Sequence, residues 1–323
     1  MPSRREFMQS SVGLATGAVI GCSNMSGGAV PMTNDQSVEP TKETTNGLID
    51  AHSHIWTPRT DKYPLVDAAR KTKMKPVSFT PSELLEVARP QGIRRVVLIQ
   101  HLFFHGFDNT YLTDTIRKYP GVFSGVAGVD ESKKHPQDEM RRLKKLGIRG
   151  FRIRPANRNV DRWLDSSGMH AMWRCAAEED LAICHLIEPS AFEAVARMCG
   201  KYPTTQVVID HFGRIGMNGK IDEKELGTLC GLAKHKQVHI KVSAFYALGK
   251  KQPPYKDLLP MIRRLLDAFG PQRLMWASDC PYQVEPPHTY DASVRLIRES
   301  LQGLTNDDRD WILRRTAEKV FFN

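Results

Sequence analysis

The chain has 323 residues, of which 41% are hydrophobic and 25% are charged, so it can bury a large core and is neither fibrous nor disordered overall. Its 46 basic and 36 acidic residues give a formal charge of +10. The basic residues are spread through helix-like segments and form no single stripe or nucleic-acid-binding module. Composition therefore argues against nucleic-acid binding and suits a small anionic substrate.

The first residues have the pattern expected of a targeting segment. Residues 3–8, Ser-Arg-Arg-Glu-Phe-Met, resemble a twin-arginine export signal, and the apolar stretch over residues 12–20 is too short to span a membrane permanently. Cys22 follows this stretch directly, as in a lipoprotein box, so we expect residues 1–22 to be a signal peptide that leaves a lipidated Cys22. Ordinary signal-peptidase cleavage, which discards this cysteine, is the alternative.

The next segment is expected to be a tether. Residues 23–46 are rich in Ser, Gly, Thr, Pro and Asn, a composition typical of a flexible linker. We therefore expect an exported protein, periplasmic or lipid-anchored at the cell envelope, with a folded domain over residues 47–323. A lipid anchor at Cys22 is its only expected contact with a membrane.

From residue 47 onward, short apolar runs alternate with helical patterns, which is the pattern of successive βα units. The predicted strands are 47–52, 95–100, 122–129, 148–153, 181–186, 206–210, 238–242 and 273–277. The predicted helices are 81–88, 110–118, 136–146, 168–179, 190–200, 223–234, 255–269, 290–300 and 306–320. Eight strands alternating with helices predict a single-domain (β/α)8 TIM barrel.

The first strand carries the strongest chemical signal. It ends in Asp50-Ala51-His52-Ser53-His54, and residues two apart on a strand share one face, so His52 and His54 can approach one ion. Two nitrogen ligands make only half of a metal site, since a catalytic zinc typically has about three protein ligands and one open position.

Other strand ends supply the remainder, because the βα loops of a TIM barrel build its active site. His185 ends strand five, Asp210-His211 ends strand six, and Asp279 follows strand eight, while Arg152 and Arg154 end strand four. We predict one divalent ion, zinc with manganese as the alternative, bound by His52, His54, His185 and Asp279. The alternative for His185 is a core histidine, and the alternative for the two arginines is surface ion pairs.

The chain resembles the amidohydrolase superfamily, specifically amidohydrolase family 2 and its lactonase-like branch. The resemblance covers Leu48 to Phe321. Its carriers are Asp50-Ala51-His52-Ser53-His54, Gly147-Ile148-Arg149-Gly150-Phe151-Arg152, Cys184-His185, Val208-Ile209-Asp210-His211-Phe212-Gly213, Lys241-Val242-Ser243 and Met275-Trp276-Ala277-Ser278-Asp279-Cys280-Pro281.

The resemblance implies His52 and His54 as ligands on strand one, His185 as a ligand on strand five, His211 as a catalytic histidine or ligand, and Asp279 as the acid of strand eight. Arg152 or Arg154 would then contact an anionic group of the substrate.

One departure from the wider superfamily sets the expected number of ions. Binuclear members bridge two metals with a carbamoylated lysine at the end of strand four, whereas this chain has Phe151-Arg152-Ile153-Arg154 there. A guanidinium is always charged and cannot become a carbamate bridge. We therefore expect one metal ion or none, and not a binuclear centre.

The predicted chemistry is hydrolysis of a lactone or related carboxylic ester by a metal-activated water. Asp279 would accept the proton of the water, and His211 would orient the water or stabilise the oxyanion, with Asp210 fixing the tautomer of His211. Two alternatives stay open. They are metal-dependent non-oxidative decarboxylation in the same barrel and an inactive solute-binding protein at the cell envelope.

Overall fold

The computed structural model describes residues 47–155 and 158–323. The predicted signal peptide and linker lie outside these residues. Within the described part of the chain, no helix combines the length and the apolar character needed to cross a membrane.

Eight parallel strands form one sheet in which each strand pairs with the next along the chain. Their bounds are β1 Leu48–Ser53, β2 Ile93–Ile99, β3 Phe123–Ala127, β4 Ile148–Ile153, β5 Ala182–His185, β6 Gln206–Ile209, β7 Val238–Val242 and β8 Leu274–Trp276. The sheet closes just after β8, where Asp279 N donates to His52 O and His54 N donates to Cys280 O, both at 2.8 Å. The predicted (β/α)8 barrel is confirmed.

Helices cover the outside of the barrel. They are α1 Pro81–Ala88, α2 Leu102–His105, α3 Thr110–Lys118, α4 Pro136–Lys144, α5 Val160–Leu164, α6 Ser167–Glu178, α7 Phe192–Lys201, α8 Glu223–Gly231, α9 Leu259–Phe269, α10 Tyr290–Arg295, α11 Asn306–Asp310 and α12 Thr316–Phe321. The bounds predicted for α1 and α3 match the structure. Helix α1 starts where Thr80 and Glu83 form a capping box and Pro81 occupies the first turn, so its sequence signal was strong.

Two apolar layers hold the barrel together. A large cluster packs the outer faces of the strands against the helices, whereas a smaller one fills the barrel interior with side chains that include Ile49, Ala51, Val97 and Cys184. Phe321 of the last helix belongs to the interior cluster. The strand residues that face inward above this layer are therefore the ones that reach the carboxyl-end mouth.

Candidate active site and metal centre

An irregularity in β1 aims its two histidines into the barrel. Ile49 and Ala51 face the interior, so strict alternation would turn His52 toward the helices. The pairing of β1 with β2 shifts register between Asp50 and Ser53, which is the effect of a β-bulge. His52 and His54 both turn inward, and their Nε2 atoms lie 3.4 Å apart.

Asp50, one residue before the bulge, locks this segment to strand eight. Its carboxylate accepts hydrogen bonds from the backbone N–H and hydroxyl of Ser278, at 2.9 and 2.5 Å, and from the Tyr290 hydroxyl at 2.8 Å. Burial raises the pKa of Asp50, although these hydrogen bonds act in the opposite direction. Asp50 thereby fixes the position of the two histidines and of the loop that carries Asp279.

Three donor atoms converge at the floor of the barrel mouth. Asp279 Oδ1 lies 3.4 Å from His52 Nε2 and 3.5 Å from His54 Nε2, which completes a nearly equilateral triangle. His54 Nδ1 lies 2.8 Å from the carbonyl oxygen of Ile99. A carbonyl only accepts hydrogen bonds, so His54 carries its proton on Nδ1 and presents a free lone pair on Nε2. The three residues are one of the two candidate metal-binding groups among the described residues.

The turns after β6, β7 and β8 use left-handed backbone to point side chains at this triangle. His211, Ala244 and Asp279 have φ values of 52°, 55° and 63°. Such conformations are costly for residues other than glycine and persist where the surrounding structure enforces them, often at functional sites. Gly213, in the same turn as His211, approaches the Phe192 ring so closely that a Cβ would lie 2.3 Å from it.

A buried set of charges lies beneath the triangle. The Asp210 carboxylate is 3.1 Å from the Lys241 ammonium, 3.4 Å from Arg152 Nε and 3.5 Å from His52 Nδ1. Burial opposes the ionisation of Asp210, but Lys241 and the other neighbours hold its pKa well below the usual range. Two cations, Arg152 and Lys241, therefore lie against the one buried carboxylate of Asp210.

His211 and Tyr246 flank the second oxygen of Asp279. Tyr246 donates its hydroxyl proton to Asp279 Oδ2 at 2.7 Å, and His211 Nε2 is 3.6 Å from the same atom. Burial lowers the pKa of His211, so the imidazole is neutral at neutral pH. Burial also opposes ionisation of Asp279, yet the nearby histidines hold its pKa well below the usual range. The carboxylate is thus charged beside a neutral imidazole.

The partner of His211 differs from the prediction. Its Nδ1 lies 2.8 Å from the Ser243 hydroxyl, whereas Asp210 faces Lys241 and His52. The prediction that Asp210 fixes the tautomer of His211 is therefore wrong. The left-handed turn at His211 separates the directions of these two adjacent side chains.

His185, predicted as a fourth ligand, lies apart from the three donor atoms. On β5, Ala182 and Cys184 face the interior and Ile183 faces the helices, so His185 shares the outward side with Ile183. Its ring packs edge-on against Trp173, with ring centroids 5.4 Å apart, and its Nδ1 is 3.0 Å from the Ile183 carbonyl oxygen. The alternative of a core histidine describes its placement.

Both strand-four arginines reach the mouth, because Ile153 between them packs against the helices. Arg152 is 8% exposed, and its Nη1 is 3.5 Å from His54 Nε2. Arg154 is exposed. Together with His54, His211 and Asp279, both guanidinium groups line a cavity of about 260 Å³.

Sequence reasoning gave no role to Lys241, Ser243 or Tyr246. Lys241 is 0% exposed, yet a lysine in an apolar strand gives no sign of which carboxylate it will meet. Alternation did contain a usable signal, since Lys241 on β7 and Ser243 directly after β7 are two residues apart and therefore share one side of the chain. Tyr246 lies in the turn after β7, where nothing in the sequence marks it as the hydrogen-bond partner of Asp279.

Comparison with known proteins agrees with this architecture. The family model described as Amidohydrolase matches residues 49–322. The L-fucono-1,5-lactonase of Burkholderia ambifaria is 28% identical over 72% of this chain and 80% of its own length. The 2-pyrone-4,6-dicarbaxylate hydrolase of Comamonas testosteroni is 29% identical over 76% of this chain and 80% of its own length.

A solved structure shares the fold. An amidohydrolase from Burkholderia multivorans, crystallised with bound zinc, superimposes with a TM-score of 0.70 at 20% identity, covering 85% of this chain and 99% of that one. Barrel, strand-end residues and family match together define the class of the protein, a TIM-barrel hydrolase with a candidate metal centre. The chain belongs to the amidohydrolase family, which is metal-dependent.

Proposed function

We propose that this hydrolase opens a lactone, or a related carboxylic ester, of a small anionic substrate. One observation carries the proposal. His52, His54 and Asp279 bring three donor atoms within 3.5 Å of one another at the floor of a pocket whose wall holds Arg152 and Arg154. The two relatives described above are a lactonase and a pyrone-dicarbaxylate hydrolase, which supports the same reaction class.

The arginines favour a substrate that carries a carboxylate. Arg152 is engaged by Asp210, while Arg154 makes no ion pair within the described part of the chain. A planar guanidinium binds a carboxylate through two parallel hydrogen bonds, so Arg154 can fix the substrate by its charged end. The scissile carbonyl would then lie deeper, near Asp279 and His211.

The donor triangle fits one divalent ion. An ion with tetrahedral bonds of about 2.1 Å holds its ligand atoms about 3.4 Å apart, and the three edges observed are 3.4, 3.4 and 3.5 Å. Asp279 Oδ1 is buried without a hydrogen-bond partner, as expected of an atom that awaits a ligand. Two nitrogens and one oxygen suit zinc, and manganese is the alternative. When bound, the ion supplies a Lewis acid and an acidified water.

The protein's own groups handle the protons of the reaction. Water adds to the carbonyl carbon and the ring C–O bond breaks, so one proton must pass from the water to the departing ring oxygen. Asp279 Oδ2 is placed to take and return this proton, because Tyr246 orients it and it faces the pocket beside His211. His211, whose Nδ1 lies 2.8 Å from the Ser243 hydroxyl, would stabilise the tetrahedral oxyanion when its Nε2 carries a proton.

A screen for acid release tests the function. Purified full-length protein is mixed with carboxylated lactones in a pH-indicator assay, and Asp279→Asn is the matched variant. We expect at least one lactone to be opened and the variant to lose about 10²- to 10⁴-fold in kcat, the usual contribution of a general acid–base group. Release of carbon dioxide would indicate decarboxylation instead, and tight binding without turnover would indicate a solute-binding protein. Either outcome would overturn the proposal.

Metal content tests the ligand set separately. We expect about one ion per chain in the wild type, its loss in His54→Gln, and its retention in His185→Gln, because only His54 contributes to the triangle. Elemental analysis of the three proteins under one purification protocol makes the comparison. Equal loss in both variants would return His185 to the ligand set.

We further propose export by the twin-arginine route and a lipid anchor at Cys22, on the sequence of residues 1–22 alone. Replacing both arginines, Arg4→Lys and Arg5→Lys, should retain the protein in the cytoplasm. Metabolic labelling with a radioactive fatty acid should mark the wild type and not Cys22→Ser. An unlabelled wild type in the periplasm would support export and refute the anchor.

A further inference from the structure

The cavity above the donor triangle has two chemically different kinds of wall. Three arginines supply its positive charge: Arg152, Arg154 and Arg214. Much of the remaining lining is aliphatic or aromatic and comes from Leu102, Phe103, Leu186, Met217, Ala247 and Leu248. The arginines can bind an anionic group, whereas the apolar side chains contribute to affinity only where an apolar part of the ligand covers them.

Two of the apolar side chains form opposite lips of the mouth. Phe103 follows β2 and Met217 follows β6, and strands four positions apart lie across an eight-stranded barrel from one another. Phe103 is 45% exposed and Met217 is 40% exposed. Of the six large hydrophobic side chains that are exposed among the described residues, these two line the cavity, so an apolar part of a ligand that leaves the pocket would cover both of them.

Both lips are held in place without a ligand. Arg70 Nη1 donates to the Phe103 carbonyl oxygen at 2.5 Å, and its guanidinium lies 4.7 Å from the centre of the Phe103 ring. On the other side, Lys251 Nζ donates to the Met217 carbonyl oxygen at 2.7 Å. The Phe103 ring and the backbone at Met217 are therefore held in place, which lowers the entropic cost of covering them.

Among the described residues, only one of the three arginines lacks an acidic neighbour, so the pocket is suited to one anionic group of a ligand. Arg152 faces Asp210, and Arg214 donates to Glu188 at 3.1 Å, so both already have acidic neighbours. Arg154 has no ion pair within the described part of the chain. One carboxylate on Arg154, and an apolar group over Phe103 and Met217, would satisfy both walls.

We infer that the substrates of this site are amphiphilic: lactones that carry one carboxylate and an alkyl or aryl arm that leaves the pocket between Phe103 and Met217. This inference rests on the proposed function and narrows its substrate class. A small lactone with polar groups all round would leave both lips exposed to water. Each methylene buried on the lips should strengthen binding roughly threefold to fourfold.

Straight-chain carboxylates test the inference without requiring hydrolysis. Titration calorimetry of full-length wild type with butyrate, hexanoate and octanoate should show Kd falling with each added methylene. Phe103→Ala and Met217→Ser should each weaken octanoate binding about tenfold or more and leave butyrate binding unchanged. Arg154→Gln should weaken all three ligands by a similar factor.

Leu146→Ser is the matched control, because Leu146 is 43% exposed and does not line the pocket. It should bind octanoate as the wild type does. Affinity independent of chain length, or equal loss in Leu146→Ser, would overturn the inference. These ligands contain no lactone ring, so their binding does not depend on hydrolysis. A protein that hydrolyses no lactone would refute the proposed function, whereas the chain-length dependence of binding would still test this inference.

Discussion

Replacing Lys241 with methionine should destabilise the barrel markedly. The change keeps most of the side-chain length and removes an ammonium that is 0% exposed and lies 3.1 Å from Asp210. Removing one partner of a buried ion pair costs about 3–5 kcal/mol. Arg152 stays 3.4 Å from Asp210, so we expect the lower end, about 3 kcal/mol. For a domain of this size that lowers Tm by about 6 °C.

Denaturant titration and thermal melts of full-length protein measure this loss of stability. Two further variants show whether it comes from the buried ion pair. Lys241→Met combined with Asp210→Asn removes both charges and should recover about 2 kcal/mol relative to the sum of the single changes. Arg264→Met is the exposed control, since Arg264 is 2.9 Å from Glu223 but both side chains are at least half exposed. It should cost under about 1 kcal/mol. Equal losses in Lys241→Met and Arg264→Met, or strictly additive losses in the double variant, would refute the reasoning.

Three further predictions concern catalysis, acid stability and packing. Tyr246→Phe should lower kcat about tenfold in steady-state assays with little change in stability, because one hydrogen bond to a carboxylate is lost; unchanged kcat would exclude this orienting role. Burial lowers the pKa values of His185 and His239 to about 4. As pH falls, these histidines take up protons in the unfolded chain before they do so in the folded protein, so the free energy of unfolding should fall below about pH 6.5. The loss should reach about 2 kcal/mol per histidine at about pH 5. Denaturant titrations measure it, and His239→Gln should make the free energy of unfolding less dependent on pH. Gly168→Ala should destabilise by about 1–3 kcal/mol, since its Cβ would collide with a backbone oxygen at 1.7 Å, while Gly227→Ala, which meets nothing within 4 Å, should stabilise by about 0.5–1 kcal/mol in the same titration.

The fold could be predicted because its signals are local. Each strand is a short apolar run, and the first residue of a helix such as Pro81–Ala88 can be predicted from a capping residue and a proline. Eight such strands in βα order leave one closed architecture, and the TIM barrel then specifies where strand ends meet. The positions of His52, His54, His211 and Asp279 near one mouth follow from that reasoning.

The side-chain directions could be predicted only in part. The strand-end position of His185 predicts a ligand, but the inward-facing Ala182 and Cys184 place His185 on the opposite side of the strand. The small inward residues of that strand were a visible signal, since barrel interiors leave room for inward side chains only where neighbours are small. The bulge in β1 had no such signal, because it depends on the pairing of Asp50 with Ser278 and Tyr290, more than two hundred residues away.

The buried charges were the least predictable part of the site. The sequence predicts that Asp210 fixes the tautomer of its neighbour His211. The left-handed backbone at His211 instead points the two side chains at different partners. Lys241 meets Asp210 only because β6 and β7 pair with a particular register. Interactions of this kind depend on which side chains meet inside the closed barrel. A single sequence does not specify these long-range contacts.

The fate of the attacking oxygen tests the central claim most directly. A lactone found in the screen is opened in water enriched in ¹⁸O, and the product is analysed by mass spectrometry. We expect one heavy oxygen in the newly formed carboxylate, none in the released hydroxyl group, and an intact carbon count. A product that has lost one carbon, or a heavy oxygen in the hydroxyl group, would contradict hydrolysis by addition of water to the carbonyl at His52, His54 and Asp279.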